Sequence, residues 1–153
     1  MMIPLARETA TLYNRRLVAG ADGRAREVWR RRVLRGCSWV RAHERVRDDG
    51  IVRYAASVVC RIPADPDYLS PGAWDALDAP EGTVTLAAGD ILVRGAVEDE
   101  ITEDFSAAAL LKKYERGGAM VVQSAKENTT LSGLAHYVAR SSWGSAVQRG
   151  HRP

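Results

Sequence analysis

Short runs of β-branched and aromatic residues, separated by turn-forming residues about every 8 to 12 positions, constrain the fold of this chain more than any other feature. Many short strands with regular turns are typical of antiparallel sandwiches and barrels. The sequence therefore predicts a mainly β fold, a small β-barrel or sandwich with one or two short helices and a flexible C-terminal tail. The runs that predict strands are Thr9–Val18, Arg24–Arg35, Ser38–Val40, Ile51–Ile62, Ala119–Ala125 and Leu134–Ala139.

The segment Arg24–Arg35 is compatible with two structures. Val28, Trp29 and Val33 fit the apolar stripe of a helix, and Val28-Trp29 between arginines also fits an exposed strand. Gly23 before the segment and Gly36 after it favour the strand, because glycine punctuates a short extended run.

Polar segments connect the predicted strands. His43–Gly50 is predicted to be a polar connection that ends in the turn pair Asp49-Gly50. Thr83–Leu86 and Ile91–Val93 are predicted to pair as a short hairpin around Ala87–Asp90.

Two segments predict helices. Ser70 and Pro71 are typical of a helix start, and they indicate a short helix that reaches about Leu77. Ser106–Tyr114 is the stronger prediction, because lysines lie in its last turn and either Asp104 or Ser106 can cap its first turn.

At 153 residues the chain is long enough for one domain with a buried core. We predict a β domain over residues 1–140 and a tail over residues 141–153, in which Trp143 is the one apolar anchor. The residues that we expect to be buried in the core are Trp39, Tyr54, Val58, Leu92, Val121 and Tyr137.

Composition excludes some classes of protein. The chain has 46% hydrophobic and 27% charged residues, which is ordinary for a soluble globular protein. It has no apolar run of about 18 residues, so no membrane span or membrane partner is expected.

The N-terminus lacks the apolar stretch of a signal peptide, and Cys37 and Cys60 form no C-x-x-C pair. We expect both cysteines to be reduced, semi-buried thiols of a protein assembled in the cytosol.

Charge is segregated into three blocks of alternating sign. Met1–Arg61 has fourteen basic and six acidic residues, Ile62–Asp104 has one basic and eleven acidic residues, and Phe105–Pro153 has seven basic and two acidic residues. The blocks can neutralise each other within the domain, or meet the opposite block of a neighbouring copy. For the second case the expected subunit-interface residues are Arg26, Arg30, Arg32, Glu98, Asp99, Glu100, Asp104 and Trp143.

No motif for catalysis or metal binding is present, so we expect no catalytic residue, no cofactor and no metal site. Cys37 or Cys60 could serve as a nucleophile with His136 as its base only if the fold brought them together, and the favoured interpretation of His136 is a half-buried strand residue. The acidic residues from Glu98 to Asp104 have oxygens that suit a hard cation, but their spacing is not that of an EF-hand. A solvated acidic loop or a docking surface is the favoured interpretation.

The arginines around Trp29 leave nucleic-acid binding open as an alternative. Guanidinium groups neutralise phosphate, but no helix-turn-helix, zinc-finger or RNA-recognition signature accompanies them. The arginines in question are Arg24, Arg26, Arg30, Arg31, Arg32 and Arg35.

Six segments follow one another along the chain: ETATLYNR, VLRGCSWV, VVCRIPAD, TVTLAAGDILVRG, EITEDFSAAALLKKY and VVQSAKENTTLSGLAHYVA. In this order they resemble small structural proteins from the head–tail modules of tailed bacteriophages and prophages. These proteins are described as minor capsid, head–tail joining or head-closure proteins. The resemblance runs from Glu8 to Ala139. Its most specific pieces are GCSW (Gly36–Trp39), RIPAD (Arg61–Asp65), the pair Gly89-Asp90 and LLKKY (Leu110–Tyr114).

The resemblance implies a non-enzymatic virion protein of the neck, assembled in the cytoplasm of the bacterial host. Head-closure proteins are β-barrels that form rings, often dodecamers, under the portal and its adaptor, where they retain packaged DNA and receive the tail. A tail terminator, a tail-completion protein or a minor capsid protein of the same module is the alternative. A loop between early strands reaches into the channel of such rings and contacts DNA weakly and without sequence preference. By position, its counterparts here are His43, Arg45, Arg47, Asp48 and Asp49.

Overall fold

The computed structural model describes residues 7–128 and 136–142, and within its strands the side chains of residues 42–46, 48, 53–56, 128, 136 and 142 lie outside the described part. Seven strands and two short helices make up this part of the chain. In chain order they are β1 (Glu8–Ala19), β2 (Ala25–Asp48), β3 (Ile51–Pro63), α1 (Pro71–Asp75), β4 (Ile91–Arg94), α2 (Ala107–Lys113), β5 (Ala119–Val121), β6 (Ser124–Asn128) and β7 (His136–Ser142).

The strands form two antiparallel ladders that share β2. The first half of β2 pairs with β1, which is followed by β4 and β5, and the second half pairs with β3, which is followed by β7 and β6. Among the described residues the strand order is β5-β4-β1-β2-β3-β7-β6, and the sheet does not close. The predicted mainly β fold is confirmed, in the form of an open, two-layered sheet with β5 and β6 at its edges.

Strand β2 changes partner at a bulge around Gly36. The pairing register shifts by one residue between Glu8–Cys37 and Ala10–Leu34, so β2 carries one extra residue there. Gly36 has a φ of +73°, a backbone conformation that residues with a side chain rarely adopt. The bulge bends a strand of 24 residues so that it forms one corner of the sandwich.

The segment from β5 to β6 forms a second corner. Val122 donates its N–H to the Asp90 carbonyl of the first ladder, and Gln123 donates its N–H to the Arg140 carbonyl of the second, both at 2.8 Å. The predicted strand Ala119–Ala125 is therefore divided between the two ladders.

The core lies between the ladders. It contains Leu12 of β1, Cys60 of β3 and Met120 of β5 among its buried side chains. The residues whose predicted burial is confirmed are Trp39, Val58, Leu92 and Tyr137.

The predicted burial is not confirmed for two further residues, Val121 and Tyr54. The prediction for Val121 is wrong, because its side chain is 37% exposed. Side chains alternate along an extended segment, and here the inward positions belong to Met120 and Val122. The side chain of Tyr54 lies outside the described part.

Helix α2 covers the outer face of the first ladder. The Ser106 hydroxyl accepts a hydrogen bond from the Ala109 N–H at 3.1 Å, so the predicted helix and its serine cap are confirmed. Leu110 of the helix packs in a second buried cluster with Tyr13, Ile91 and Val93.

Three local predictions need correction. Thr83–Leu86 is not a strand of a hairpin, and its only described pairing is an isolated parallel bridge between Val84 and Tyr68. The Asp90 carboxylate accepts a hydrogen bond from the Ala87 N–H, which closes the intervening loop. Helix α1 ends at Asp75 rather than near Leu77, and the Ser70 side chain makes no capping hydrogen bond.

Candidate functional site

In the far half of the β2–β3 hairpin, the two strands have no other strand beside them among the described residues, and we call residues 43–56 the ribbon. Strand β1 pairs with β2 only up to Cys37, and β7 pairs with β3 only from Ser57 onward. Past these points β2 and β3 pair with each other down to Asp48–Ile51. Within the described chain the ribbon therefore has two edges whose outward N–H and C=O groups have no strand beside them.

The tip of the ribbon is a tight turn with apolar neighbours. Asp49 and Gly50 have φ values of +48° and +79°, the combination that a two-residue hairpin turn requires. Next to the turn, Ile51 is 55% exposed and Val52 is 36% exposed. The tip thus offers apolar area and free strand edges for a contact with another molecule.

The ribbon replaces the predicted channel loop. His43, Arg45, Arg47 and Asp48 lie within β2, and Asp49 begins the turn. The prediction of a loop is wrong because backbone pairing with β3 continues through this polar segment, and such pairing does not depend on apolar side chains. Arg47 and Asp49 are exposed, and the other three side chains lie outside the described part.

The arginines of β2 contact acidic residues of the same chain. Arg30 Nη2 lies 2.9 Å from Glu81 Oε1, and Arg32 Nη2 lies 3.0 Å from Asp65 Oδ2 and 2.9 Å from Asp67 Oδ2. Exposed pairs of this kind contribute little stability each. They do place carboxylates beside guanidinium groups that would otherwise face solvent.

Further pairs join the charge blocks. Arg31 Nε lies 2.9 Å from Glu100 Oε1, and Arg94 Nε donates to Glu8 Oε1 at 2.7 Å. The basic first block and the acidic second block thus neutralise each other in part within one chain, which is the first of the two alternatives that the sequence leaves open.

Asp99 connects the acidic loop to α2. Its carboxylate accepts hydrogen bonds from the Tyr114 hydroxyl and from Lys113 Nζ, and these contacts lower the pKa of Asp99. The Asp99 carbonyl also accepts a hydrogen bond from the Tyr13 hydroxyl at 2.7 Å. Asp99 is therefore a structural residue of the folded chain.

The other predicted interface residues are distributed differently. Arg26, Glu98 and Asp104 are exposed and form no ion pair with another described residue. Trp143 lies outside the described residues. The predicted set is thus divided into residues paired within the chain (Arg30, Arg32, Asp99 and Glu100) and three exposed charges.

A cleft of about 490 Å³ lies beside the second half of β1. Strand β4 pairs with β1 only from Ala10 to Tyr13, so Arg15–Ala19 borders the cleft. Trp74 of α1 and Thr85 line the cleft with it.

Asp90 organises the side of the cleft next to β1. Its Oδ1 accepts a hydrogen bond from the Arg15 N–H, and its Oδ2 accepts from Asn14 Nδ2 and the Ala87 N–H, all at 2.9 Å. Burial raises the pKa of Asp90 to about 6, against the opposing effect of these three donors. The sequence analysis missed this network. An asparagine in the middle of a strand was the available signal, because strands are poor in asparagine.

Several buried polar atoms of the cleft have no hydrogen-bond partner among the described residues. They are Arg16 Nη1, Trp74 Nε1 and Thr85 Oγ1. The Arg16 guanidinium lies over the Trp74 ring, 5.4 Å from its centroid, and donates to the Leu77 carbonyl. Buried polar groups are normally paired, so these three atoms are exceptions within the wall of the cleft.

The two cysteines are buried and reduced in the fold. Hydrogen bonding with Cys37, together with burial, raises the pKa of Cys60, and a thiol rather than a thiolate is a poor nucleophile. The side chain of His136 lies outside the described part. Among the described residues, no group of three or more His, Cys, Asp or Glu side chains is arranged to hold a metal ion.

No helix in the part of the chain that the structure describes is long and apolar enough to cross a membrane. In comparisons with known proteins, no curated protein and no solved structure matches this chain. A family model, described as a family of unknown function (DUF6751), matches residues 5–140 and so spans both ladders and both helices. The chain belongs to this family.

Proposed function

We propose that this protein is a structural component of a tailed-phage virion, a ring-forming head–tail connector of the head-closure type. In this role it joins the portal and its adaptor to the tail and retains packaged DNA. The single observation that carries the proposal is the ribbon, whose edges pair with no other described strand and whose Ile51 and Val52 are exposed. The order of motifs from Glu8 to Ala139, which resembles that of head–tail proteins, supplies the biological setting.

The ribbon supports self-assembly for two reasons. A two-stranded hairpin is only marginally stable in water, so a contact that covers its edges also stabilises it. The ribbon and the rest of the sandwich are different surfaces of one chain. A contact between the ribbon of one copy and the body of the next is therefore head-to-tail, and repetition of such a contact generates a ring when the rotation closes.

The partners follow from the proposed role. They are further copies in a ring, for which a dodecamer is expected, the portal and adaptor on one side, and tail proteins on the other. The location is the neck of the virion, after assembly in the cytoplasm of the host. A tail terminator, tail-completion or minor capsid protein of the same module remains the alternative, because each would use the same ribbon for ring formation.

A nucleic-acid-binding protein is a second alternative, and the ion pairs of β2 favour the connector over it. Arg30, Arg31 and Arg32 each contact a carboxylate of the same chain. A phosphate backbone would have to displace these carboxylates, so the arginines are poorly placed to supply affinity through phosphate neutralisation.

The proposed role is non-enzymatic. A cysteine nucleophile would need a thiolate and access to substrate. The hydrogen bond between the two thiols raises the pKa of Cys60 and lowers that of Cys37. Both sulfurs are buried and lack access to a substrate, so the His–Cys pairing considered from the sequence gains no support.

The test compares assembly of the purified wild-type protein with that of an Ile51→Lys/Val52→Lys variant. We expect rings of the wild type by negative-stain microscopy and light scattering, and we expect the variant to remain monomeric with an unchanged urea-unfolding midpoint. Val121→Lys is the matched control, because Val121 has a similar exposure but lies in β5, outside the ribbon. A wild-type protein that forms no ring, alone or on virions, would contradict the proposal.

A further inference from the structure

The edge of β1 next to the cleft is an unpaired strand edge. The Arg15 N–H points away from β2, since it donates to Asp90. Alternate residues of a strand direct their N–H and C=O groups to the same side, so the backbone groups of Leu17 and Ala19 also point toward the cleft. No backbone or side-chain hydrogen bond from another described residue reaches these groups on the cleft side.

The cleft has the dimensions and chemistry to hold an added strand. The Arg15 N–H is already bonded to Asp90, so the free part of the edge runs from Leu17 to Ala19 and corresponds to an added strand of about three residues. Leu17 at the edge is 57% exposed. Trp74 and Thr85 are 1% and 3% exposed, so they form the closed wall of the cleft. A strand placed here would gain backbone hydrogen bonds from β1 and apolar contact with Leu17.

We propose that this cleft receives the ribbon of a second copy, which adds to the edge of β1 as an extra strand. The inference rests on the ribbon-mediated assembly proposed above and identifies the surface that the ribbon contacts. Two unpaired edges complete each other's hydrogen bonding in this arrangement, as in other cases of strand addition. The exposed Ile51 and Val52 of one copy then cover the exposed Leu17 of the next.

One pair of opposite charges favours this occupant. Asp75 lines the cleft and is exposed, and Arg47 is exposed on the ribbon. Neither side chain forms an ion pair with another described residue. A ribbon laid along β1 can bring the two together, and such a pair fixes register more than it adds affinity. Arg15 and Arg16 also line the cleft, but Arg15 pairs with Glu27 and the Arg16 guanidinium lies over the Trp74 ring.

Disulfide trapping between two different variants tests the docking directly. Leu17→Cys and Val52→Cys proteins are mixed and oxidised, so that a crosslink between the new cysteines joins two copies. We expect the mixed dimer to form readily, and to be lost when Val121→Cys replaces Val52→Cys. The native Cys37 and Cys60 are buried, and wild-type protein under the same conditions gives the background.

Two further comparisons test strand addition and register. Leu17→Pro removes the outward N–H, and we expect it to abolish assembly, whereas Leu17→Ala keeps the N–H and should retain more of it. Arg47→Asp and Asp75→Arg should each raise the concentration needed for assembly, and the double variant in one chain should restore it.

The outcomes separate this inference from the proposed function. Loss of rings in the ribbon-tip variant without a crosslink between positions 17 and 52 would overturn docking in the cleft and leave the connector proposal in place. A specific crosslink from a protein that forms only open fibres would support the docking and contradict the ring. Equal crosslinking at positions 52 and 121, full assembly of Leu17→Pro, or a peptide of another protein seated in the cleft would overturn the inference.

Discussion

Gly118 lies where close packing leaves little space for a side chain. Its φ is +121°, and an added Cβ would lie 3.1 Å from Arg94 Cβ and 3.3 Å from Trp39 Cζ2. We predict that Gly118→Ala lowers the free energy of unfolding by about 1–3 kcal/mol from backbone strain alone, with a further loss from displacement of the Trp39 ring.

A matched variant separates the two causes for Gly118. Gly82 has a φ of +77°, and an added Cβ there would have nothing within 4 Å. Gly82→Ala should therefore show only the conformational cost. Equal shifts of the urea midpoint in both variants would contradict the proposed contact with Trp39.

Asp90 is a single residue that makes the stability of the fold depend on pH. Burial disfavours the charge and raises the pKa of this carboxyl from 3.8, the ordinary value for aspartate, to about 6 in the fold. The folded state therefore binds this proton more tightly than the unfolded chain. The resulting stabilisation is complete below about pH 4 and is lost as the pH rises through about 6, which amounts to about 3 kcal/mol for this group.

Carbon NMR of the Asp90 carboxyl checks this prediction. Carboxylates whose pKa is lowered, such as that of Asp99, act in the opposite direction on total stability, so a signal specific to Asp90 is needed. We expect a titration midpoint near 6. A midpoint at or below that of a free aspartate would show that its three hydrogen-bond donors outweigh burial.

Among the secondary-structure elements, α2 depends on its cap. The helix has seven residues, so the Ser106 hydrogen bond satisfies one of only a few free N–H groups at its start. We predict that Ser106→Ala lowers the free energy of unfolding by about 1 kcal/mol, and that Ser106→Asp retains most of it. Urea unfolding of the three proteins checks this. An alanine variant as stable as wild type would mean that packing of Leu110 alone holds the helix.

Only one of the two strands of the ribbon could be predicted from the sequence. Ile51–Ile62 could be predicted as a strand, since its β-branched run precedes a proline. The polar stretch from His43 to Asp48 could not, because strand pairing there is imposed by the facing strand rather than by an apolar pattern. Local propensity predicted a loop, and the pairing partner decided otherwise.

At the scale of the whole molecule, exposed charges that are not paired within the chain are available for assembly. Glu98 is exposed and has no described ion pair, whereas Asp99 is bound by Lys113 and Tyr114. We predict that Glu98→Lys weakens assembly at low salt but changes the unfolding free energy by less than about 0.5 kcal/mol. Asp99→Lys should lower the unfolding free energy itself. A Glu98→Lys protein that assembles like wild type at low and high salt would remove the acidic block from the interface.

Binding to DNA is a second property of the whole molecule. Because Arg30, Arg31 and Arg32 of β2 contact carboxylates, we predict weak affinity without sequence preference that disappears at moderate ionic strength. Fluorescence anisotropy over a salt series measures it. Binding that is selective for sequence and persists at physiological salt would favour the nucleic-acid alternative over the connector.

The sequence by itself determined the class of fold and most of its local elements. Turn signals, a proline stop and a serine cap act over a few residues, and they predicted β1, β3, α2 and the burial of Trp39 and Tyr137. The charge blocks were also readable from the sequence, since they need only a count along the chain.

Only the tertiary structure decided which distant residues meet. The contact of Asn14 with Asp90 joins residues that are 76 positions apart, and the bulge at Gly36 determines that one strand serves two ladders. Among the described residues, the limits of the β4 and β7 pairings leave part of the β1 edge and the ribbon without neighbouring strands. Such pairings depend on which strands lie side by side, and no local pattern specifies that. The surfaces proposed for assembly therefore could be identified only from the tertiary structure, although the sequence already showed the residues that form them.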